Sequence, residues 1–129
     1  SIVVIIATDA PLLPHQCQRL AQRASIGIAR TGGGTEDSSG DLFLAFATGN
    51  PDLPPADYGR KDLPLSTTLS MVNNDHISPL FSAAAEAVEE AIINAILAGE
   101  DMTTADGVLV PGLEGQTLLE ALRQTGWRG

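Results

Sequence analysis

Residues 2–7 read IVVIIA, an apolar run near the start of the chain. The run shows no alternation, which is typical of a strand covered on both faces. Apolar residues then recur at helical spacing from Pro14, which suits the first position of a helix because its missing N–H is no loss there. Gly32 is placed to end that helix, and DLFLAFAT at 41–48 predicts a second strand. The opening therefore predicts a strand–helix–strand unit.

The remainder of the chain predicts further α and β elements. Four prolines make residues 49–66 a loop, either ordered or mobile. The other predicted elements are a weak strand at 65–72, a long helix with Ser78 as cap and Pro79 as first position and Gly99 after its end, a short strand at 108–110 and a helix near 115–124. Few strands and an alanine-rich long helix suggest that this α/β chain buries surface against another polypeptide.

Length and composition restrict the class of protein. With 129 residues the chain is at most one domain, and 43% hydrophobic with only 4% aromatic residues predicts an aliphatic core. Sixteen acidic against seven basic residues give a net charge of −9, which disfavours nucleic acid and anionic membranes as partners. No apolar run approaches the roughly 20 residues of a spanning helix. We expect a cytoplasmic protein. It would be periplasmic if it were made as part of a longer precursor that begins with a signal peptide.

Several residue types argue against cofactor chemistry. The single cysteine, Cys17, excludes an internal disulfide and lies on a helical apolar pattern, so we expect it to be buried. His15 and His76 lack the paired spacing of a zinc site. The stretch TGGGTEDSSG at 31–40 follows a helix and precedes a strand, the reverse of the order in phosphate loops. We expect no metal and no organic cofactor.

Ser1 precedes the first strand directly and admits two interpretations. Excision of an initiator methionine, trimming of the chain or removal of a signal peptide would each expose a serine. Alternatively, Ser1 is created by cleavage of a larger precursor and acts as a nucleophile. Such a residue carries a hydroxyl and an α-amine together, so nucleophile and base can come from one residue.

The relative direction of the two predicted strands decides whether Ser1 has catalytic neighbours. If the strands are parallel, both begin at one edge of the sheet and Ser1 lies about 4.8 Å from the strand that starts after Ser39 and Gly40. An antiparallel pair would separate them by roughly 20 Å. In the parallel arrangement, Ser39 could relay a proton. Asp41 could hold the Ser39 hydroxyl in place and stabilise the protonated amine. The same residues are ordinary in a turn before a strand.

Three stretches resemble one enzyme family. They are SIVVIIATDAPLLPHQCQRLAQRASIGIARTGG at the start, SSGDLFLAFATGN in the middle and ISPLFSAAAEAVEEAIINAIL in the long helix. They are similar to the processed β-chain of the DmpA-type L-aminopeptidase/D-esterases and β-peptidyl aminopeptidases. The likeness covers about half of the chain and fades over 51–66 and after Gly99.

The resemblance implies a fold, partners and a site. Residues 1–129 would be the C-terminal β-chain of a self-cleaved precursor and half of one αββα sandwich, like that of N-terminal-nucleophile hydrolases, with a separate α-chain completing it. Heterodimers of this kind would assemble as tetramers. Ser1 matches the nucleophile, Ser39 the second catalytic serine and Asp41 the acidic partner, which is glutamate in some relatives. Substrates would be small peptides, amides or esters.

Two other functions compete with this interpretation. An acyltransferase similar to ornithine acetyltransferases would share the architecture, although those enzymes commonly expose threonine. A non-catalytic subunit would carry Ser1 only as a remnant of processing. The residues leave open whether the amino terminus of the substrate is L-α, D or β, and whether the Ser1 amine or the Ser39 hydroxyl takes the first proton.

Overall fold

The computed structural model describes residues 1–54, 59 and 61–129. These residues form two compact units, Ser1–Val88 and Glu89–Gly129. The loop predicted at 49–66 is therefore described only in part, because residues 55–58 and 60 lie outside the described residues.

The first unit is built on two parallel strands joined by helices. Strand β1 spans Val3–Thr8 and strand β2 spans Leu42–Ala47, with a register that runs from Val3 opposite Leu42 to Thr8 opposite Ala47. Helices α1 (Pro14–Ala21) and α2 (Ala24–Arg30) connect them. The predicted strand–helix–strand unit is confirmed, and the strand direction that the sequence left open is parallel.

The prediction of one continuous helix between the strands was wrong. The chain leaves α1 at Gln22 and starts α2 at Ala24, with a tight bond from the Arg23 N–H to the Leu20 carbonyl. Shortly after this break, the backbone at Gly27 closely approaches the backbone at Ala85. A Cβ on Gly27 would lie only 2.6 Å from the Ala85 carbonyl oxygen. Helix propensity alone could not reveal it, since tertiary packing overrides propensity.

The core of the first unit lies between the sheet and the helices. Helix α3 (Ser78–Leu97) supplies one wall, and Ser78 is its first residue rather than its predicted cap. Leu20 and Ile77 are almost fully buried in the aliphatic cluster. Gln16 is fully buried too. Its amide donates to the Val72 carbonyl at 2.7 Å, so burial does not leave this amide without a hydrogen-bond partner.

The sheet is covered on one face within this chain. Alternate residues of both strands face the helices, and the others are exposed: 69% for Val3, 61% for Ile5, 65% for Leu42 and 57% for Leu44. The expectation of strands covered on both faces is therefore met on one face only. Exposed apolar areas of this kind usually mark an interaction surface.

The weak strand predicted at 65–72 is absent from the part of the chain that the structure describes. Isolated bonds hold this segment instead. The Val72 N–H donates to the Pro11 carbonyl at 2.9 Å, and the side chain of Asn50 exchanges two hydrogen bonds with the backbone of Ser70. The segment does not join the ladder of β1 and β2.

The second unit contains the short strand and the final helix predicted near the end of the chain, together with one strand that was not predicted. Strands β3 (Met102–Thr103) and β4 (Leu109–Val110) form an antiparallel hairpin, and helix α4 spans Gly115–Gln124. Gly112 has no room for a side chain, because a Cβ there would lie 2.6 Å from the Gly99 carbonyl oxygen. In the described ranges, every helix is too short or too polar to cross a bilayer.

Candidate active site

The parallel register brings the start of the chain beside the segment that leads into β2. Val3 lies opposite Leu42, and the Leu42 N–H donates to the carbonyl of Ile2 at 3.0 Å. Two residues before Leu42, the Gly40 N–H donates to the Ser1 Oγ at 2.9 Å. The predicted meeting of Ser1 with residues 39–41 is thus confirmed as geometry.

One carboxylate oxygen connects the two strand starts. The Oδ1 of Asp41 accepts the Ser39 hydroxyl at 2.6 Å and the backbone N–H of Ile2 at 3.2 Å. A bond to an ionised acceptor is shorter and stronger than one between neutral groups. The Asp41 side chain therefore fixes the orientation of the Ser39 hydroxyl and the path of the backbone next to Ser1.

The loop between α2 and β2 delivers these residues to the sheet edge. Gly32 and Gly34 adopt positive φ angles of 90° and 93°, a conformation that glycine accepts without steric cost. The Ser39 N–H then donates to the Glu36 carbonyl at 3.0 Å and closes a turn before β2. Gly32 thus follows the end of α2, as the sequence predicts.

The site is open to solvent on the side of Ser1. Ser1 is exposed, whereas Ser39 and Asp41 are half-buried beneath it. A hydroxyl that must meet a substrate needs such access, and an acidic group that orients a neighbour benefits from partial shielding. The arrangement can therefore present the Ser1 hydroxyl to a carbonyl carbon while Ser39 and Asp41 stay in place.

Two features of the site were not foreseen from the sequence. The first is the Gly40 N–H, a backbone group with no side-chain signal. The second is the contact of Asp41 with the Ile2 N–H, where the sequence had suggested a contact with the amine of Ser1. The parallel pairing of the strands was the signal that could have revealed both, because it places Gly40 beside Ser1 and Asp41 beside Ile2.

Other candidate groups lie apart from this arrangement. His15 and His76 are exposed, and Cys17 is half-buried rather than buried, against the aliphatic core. Among the residues that the structure describes, no cluster of three or more His, Cys, Asp or Glu side chains could hold a metal ion. A groove of about 720 Å³ is lined by Cys17, Phe43 and Ala47 among others, and it contains none of residues 1 and 39–41.

Comparison with known proteins defines the family. The sequence model of peptidase family S58 matches residues 1–110, so the chain belongs to that family. The chain is similar to the beta-peptidyl aminopeptidase BapA of Sphingosinicella microcystinivorans, at 38% identity over 96% of this chain. It spans only 30% of the length of that relative. The family resemblance noted from the three sequence stretches is confirmed.

Solved structures show the same fold. A beta-aminopeptidase of Burkholderia sp. matches with a TM-score of 0.92 and 69% identity over 100% of this chain and 36% of its own. The L-aminopeptidase D-Ala-esterase/amidase of Ochrobactrum anthropi matches with a TM-score of 0.84 and 41% identity over 98% of this chain and 34% of its own. That protein is described as a prototype of the serine aminopeptidases and a new variant of the Ntn-hydrolase fold. The predicted fold class is confirmed.

Proposed function

We propose that the complete protein is a serine aminopeptidase that also cleaves amides and esters, with Ser1 as an N-terminal nucleophile. The observation that carries the proposal is the contact of Ser1 with the Ser39–Asp41 segment, at the sheet edge of an Ntn-hydrolase fold. The names of its relatives in family S58 support the same reaction class.

Acylation would begin at the Ser1 hydroxyl. Its Oγ attacks the carbonyl carbon of the substrate's N-terminal residue, the carbonyl π pair moves to oxygen, and the hydroxyl proton passes to an acceptor. That acceptor is either the Ser1 amine or the Ser39 hydroxyl, which Asp41 orients. Collapse of the tetrahedral intermediate breaks the bond to the leaving amine or alcohol, which takes the proton.

Deacylation would reverse the roles of the groups. Water attacks the ester carbonyl of the acyl-enzyme and gives up a proton to the same relay. The bond between the acyl carbon and Ser1 Oγ then breaks, and the oxygen recovers a proton. The same hydroxyl would attack the peptide bond before Ser1 in a precursor, so one nucleophile would serve maturation and turnover.

We also propose that a preceding α-chain completes the αββα sandwich. Two observations support it: the exposed apolar face around Ile5 and Leu44, and the 30% share of the BapA relative that this chain spans. Burial of such a face contributes about 25 cal/mol per Å² of apolar surface removed from water. The resemblance further favours tetramers of heterodimers and small peptide, amide or ester substrates.

The direct test is Ser1→Ala in the full precursor, compared with Ser25→Ala on the exposed side of α2. We expect the Ser1 variant to remain a single polypeptide without aminopeptidase activity, and the Ser25 variant to mature and turn over normally. Cleavage and turnover in the Ser1 variant would refute the proposal. A large excess of acyl transfer to an added amine over hydrolysis would favour the acyltransferase alternative.

A further inference from the structure

The backbone N–H of Gly40 lies within hydrogen-bond distance of the proposed nucleophile. It donates to the Ser1 Oγ at 2.9 Å. We propose that this N–H is a catalytic donor that stabilises negative charge on Oγ in both halves of the reaction, an inference that rests on the acyl-transfer function proposed above. Its role is separate from those of Ser39 and Asp41, which act on the proton and on the backbone.

The donor is held in place on both sides. The preceding residue closes a turn through its N–H to the Glu36 carbonyl, at 3.0 Å. The following residue, Asp41, is tied through its carboxylate to the N–H of Ile2, whose carbonyl accepts the N–H of Leu42. A donor fixed before the reaction needs no reorganisation when charge develops, which is the condition for effective electrostatic stabilisation.

The hydrogen bond from the Gly40 N–H stabilises the transition states more than the ground states. During acylation, Oγ gains negative charge as its proton leaves, and this charge then moves to the carbonyl oxygen as the bond from Oγ to carbon forms. In the ester intermediate the same oxygen is a poor acceptor. During deacylation, the electron pair of the breaking bond returns to Oγ and the oxygen again becomes a strong acceptor. Only an interaction that is stronger in the transition states than in the ground states accelerates the reaction, and this bond meets that condition.

The absence of a side chain at position 40 fits the same role. Gly40 is not among the glycines with positive φ, so its backbone does not require glycine. A Cβ there would lie 3.8 Å from Ser1 Oγ, with no other atom within 4 Å. A side chain at position 40 would therefore begin in van der Waals contact with the proposed nucleophile. Glycine supplies the N–H and leaves that approach free for a substrate.

The experiment replaces the peptide N–H of Gly40 by an ester oxygen, using glycolic acid at that position in the full precursor. The matched control carries glycolic acid at Gly107, whose N–H donates to the Thr104 carbonyl in the β3–β4 hairpin. We expect the rate constants of acylation and deacylation to fall about 10- to 100-fold relative to the control, the range for a bond to a charged group. Both variants should melt at similar temperatures.

The results separate the alternatives. Rate constants within about twofold of the Gly107 control would overturn the role of Gly40 while leaving the Ser1 mechanism intact. Failure of the unsubstituted enzyme to acylate Ser1 would instead refute the proposed function. Slow self-cleavage of the Gly40 variant, with a normal melting temperature, would support the inference because cleavage uses the same oxygen.

A second measurement needs no backbone change. In enzyme labelled with ¹⁵N-glycine, acylation of Ser1 by a slow ester should move the Gly40 amide proton to lower chemical shift, because the ester oxygen is a weaker acceptor. The Gly107 resonance serves as the reference and should stay in place. An unchanged Gly40 resonance on a fully acylated enzyme would overturn the inference even if the ester variant does not fold.

Discussion

The Oδ1 of Asp41 accepts the backbone N–H of Ile2 at 3.2 Å, across the start of the two parallel strands. The same oxygen accepts the Ser39 hydroxyl at 2.6 Å. Asp41 therefore holds the peptide next to Ser1 and orients the Ser39 hydroxyl, and we propose that it is a positioning residue.

Loss of the Asp41 carboxylate should impair the reaction more than it impairs the fold. We expect Asp41→Ala to lower kcat/KM about 100-fold, within the range for disrupted acid–base catalysis. Asp41→Asn should retain part of the activity, because its amide oxygen can still accept both bonds, although more weakly than a carboxylate does. Steady-state kinetics on the two-chain enzyme measure both effects.

The control for this prediction is Asp37→Asn, which removes an exposed carboxylate from the same loop. It should leave kcat/KM near that of the unsubstituted enzyme. The positioning role also predicts that the Asp41 variants change the pH profile of kcat/KM. Equal losses for Asp37 and Asp41, with identical pH profiles, would show that only the net charge of the loop matters.

Ser39 and Ser38 offer a matched pair for the proton relay. The Ser39 hydroxyl donates to Asp41, whereas Ser38 is exposed beside it. We expect Ser39→Ala to reduce kcat by about 10²–10⁴-fold and Ser38→Ala to have little effect. Similar activity for the two variants would remove Ser39 from the mechanism, as measured by burst and steady-state kinetics.

The exposed face of the sheet should determine association with the proposed α-chain. Ile5→Glu places a charge on that face, so we expect the precursor to become insoluble or the mature chains to separate. Ser25→Glu, on an exposed position of α2, should leave the two-chain species intact. Size-exclusion chromatography with mass analysis measures both. A stable two-chain species in the Ile5 variant would contradict the proposed interface.

Gly27 should be intolerant of any side chain. A Cβ there would lie 2.6 Å from the Ala85 carbonyl oxygen and 2.7 Å from the Val88 Cβ, so Gly27→Ala should lower the free energy of unfolding by about 1–3 kcal/mol. Gly115→Ala is the control, because nothing lies within 4 Å of a Cβ at that helix start. Equal stability of the two variants in denaturant unfolding would show that α2 and α3 can separate without cost.

The pKa of Asp106 lies below its ordinary value of 3.8, mainly because the Thr104 hydroxyl donates to its carboxylate. Because this pKa is lower in the folded state than in the unfolded state, ionised Asp106 stabilises the fold. This stabilisation is complete above about pH 4 and is lost as the pH falls through the lowered pKa. Thr104→Val should raise the pKa of Asp106, measured by NMR titration of its carboxyl carbon. An unchanged pKa would contradict the assigned cause.

The sequence allowed the site to be predicted better than the packing. The apolar runs near Ile5 and Leu44 identified the two strands but left their direction open, and the parallel direction in the structure brings Ser1 beside residues 39–41. The break between α1 and α2 was not predictable from helix propensity, and it accompanies the close approach of Gly27 to a helix about 60 residues later. The segment 65–72 carries β-branched residues, yet its backbone bonds go to Pro11 and to the Asn50 side chain, contacts that no local pattern encodes.

The atom that carries the acyl group during turnover decides most directly whether Ser1 is the nucleophile. The two-chain enzyme would be mixed with an ester substrate that deacylates slowly, quenched in acid, digested and analysed by mass spectrometry. We expect the acyl mass on the peptide that begins with Ser1, with fragment ions placing it on the side-chain oxygen, and its disappearance as product forms. Turnover with the acyl group on another residue, or with Ser1 unmodified throughout, would contradict the account.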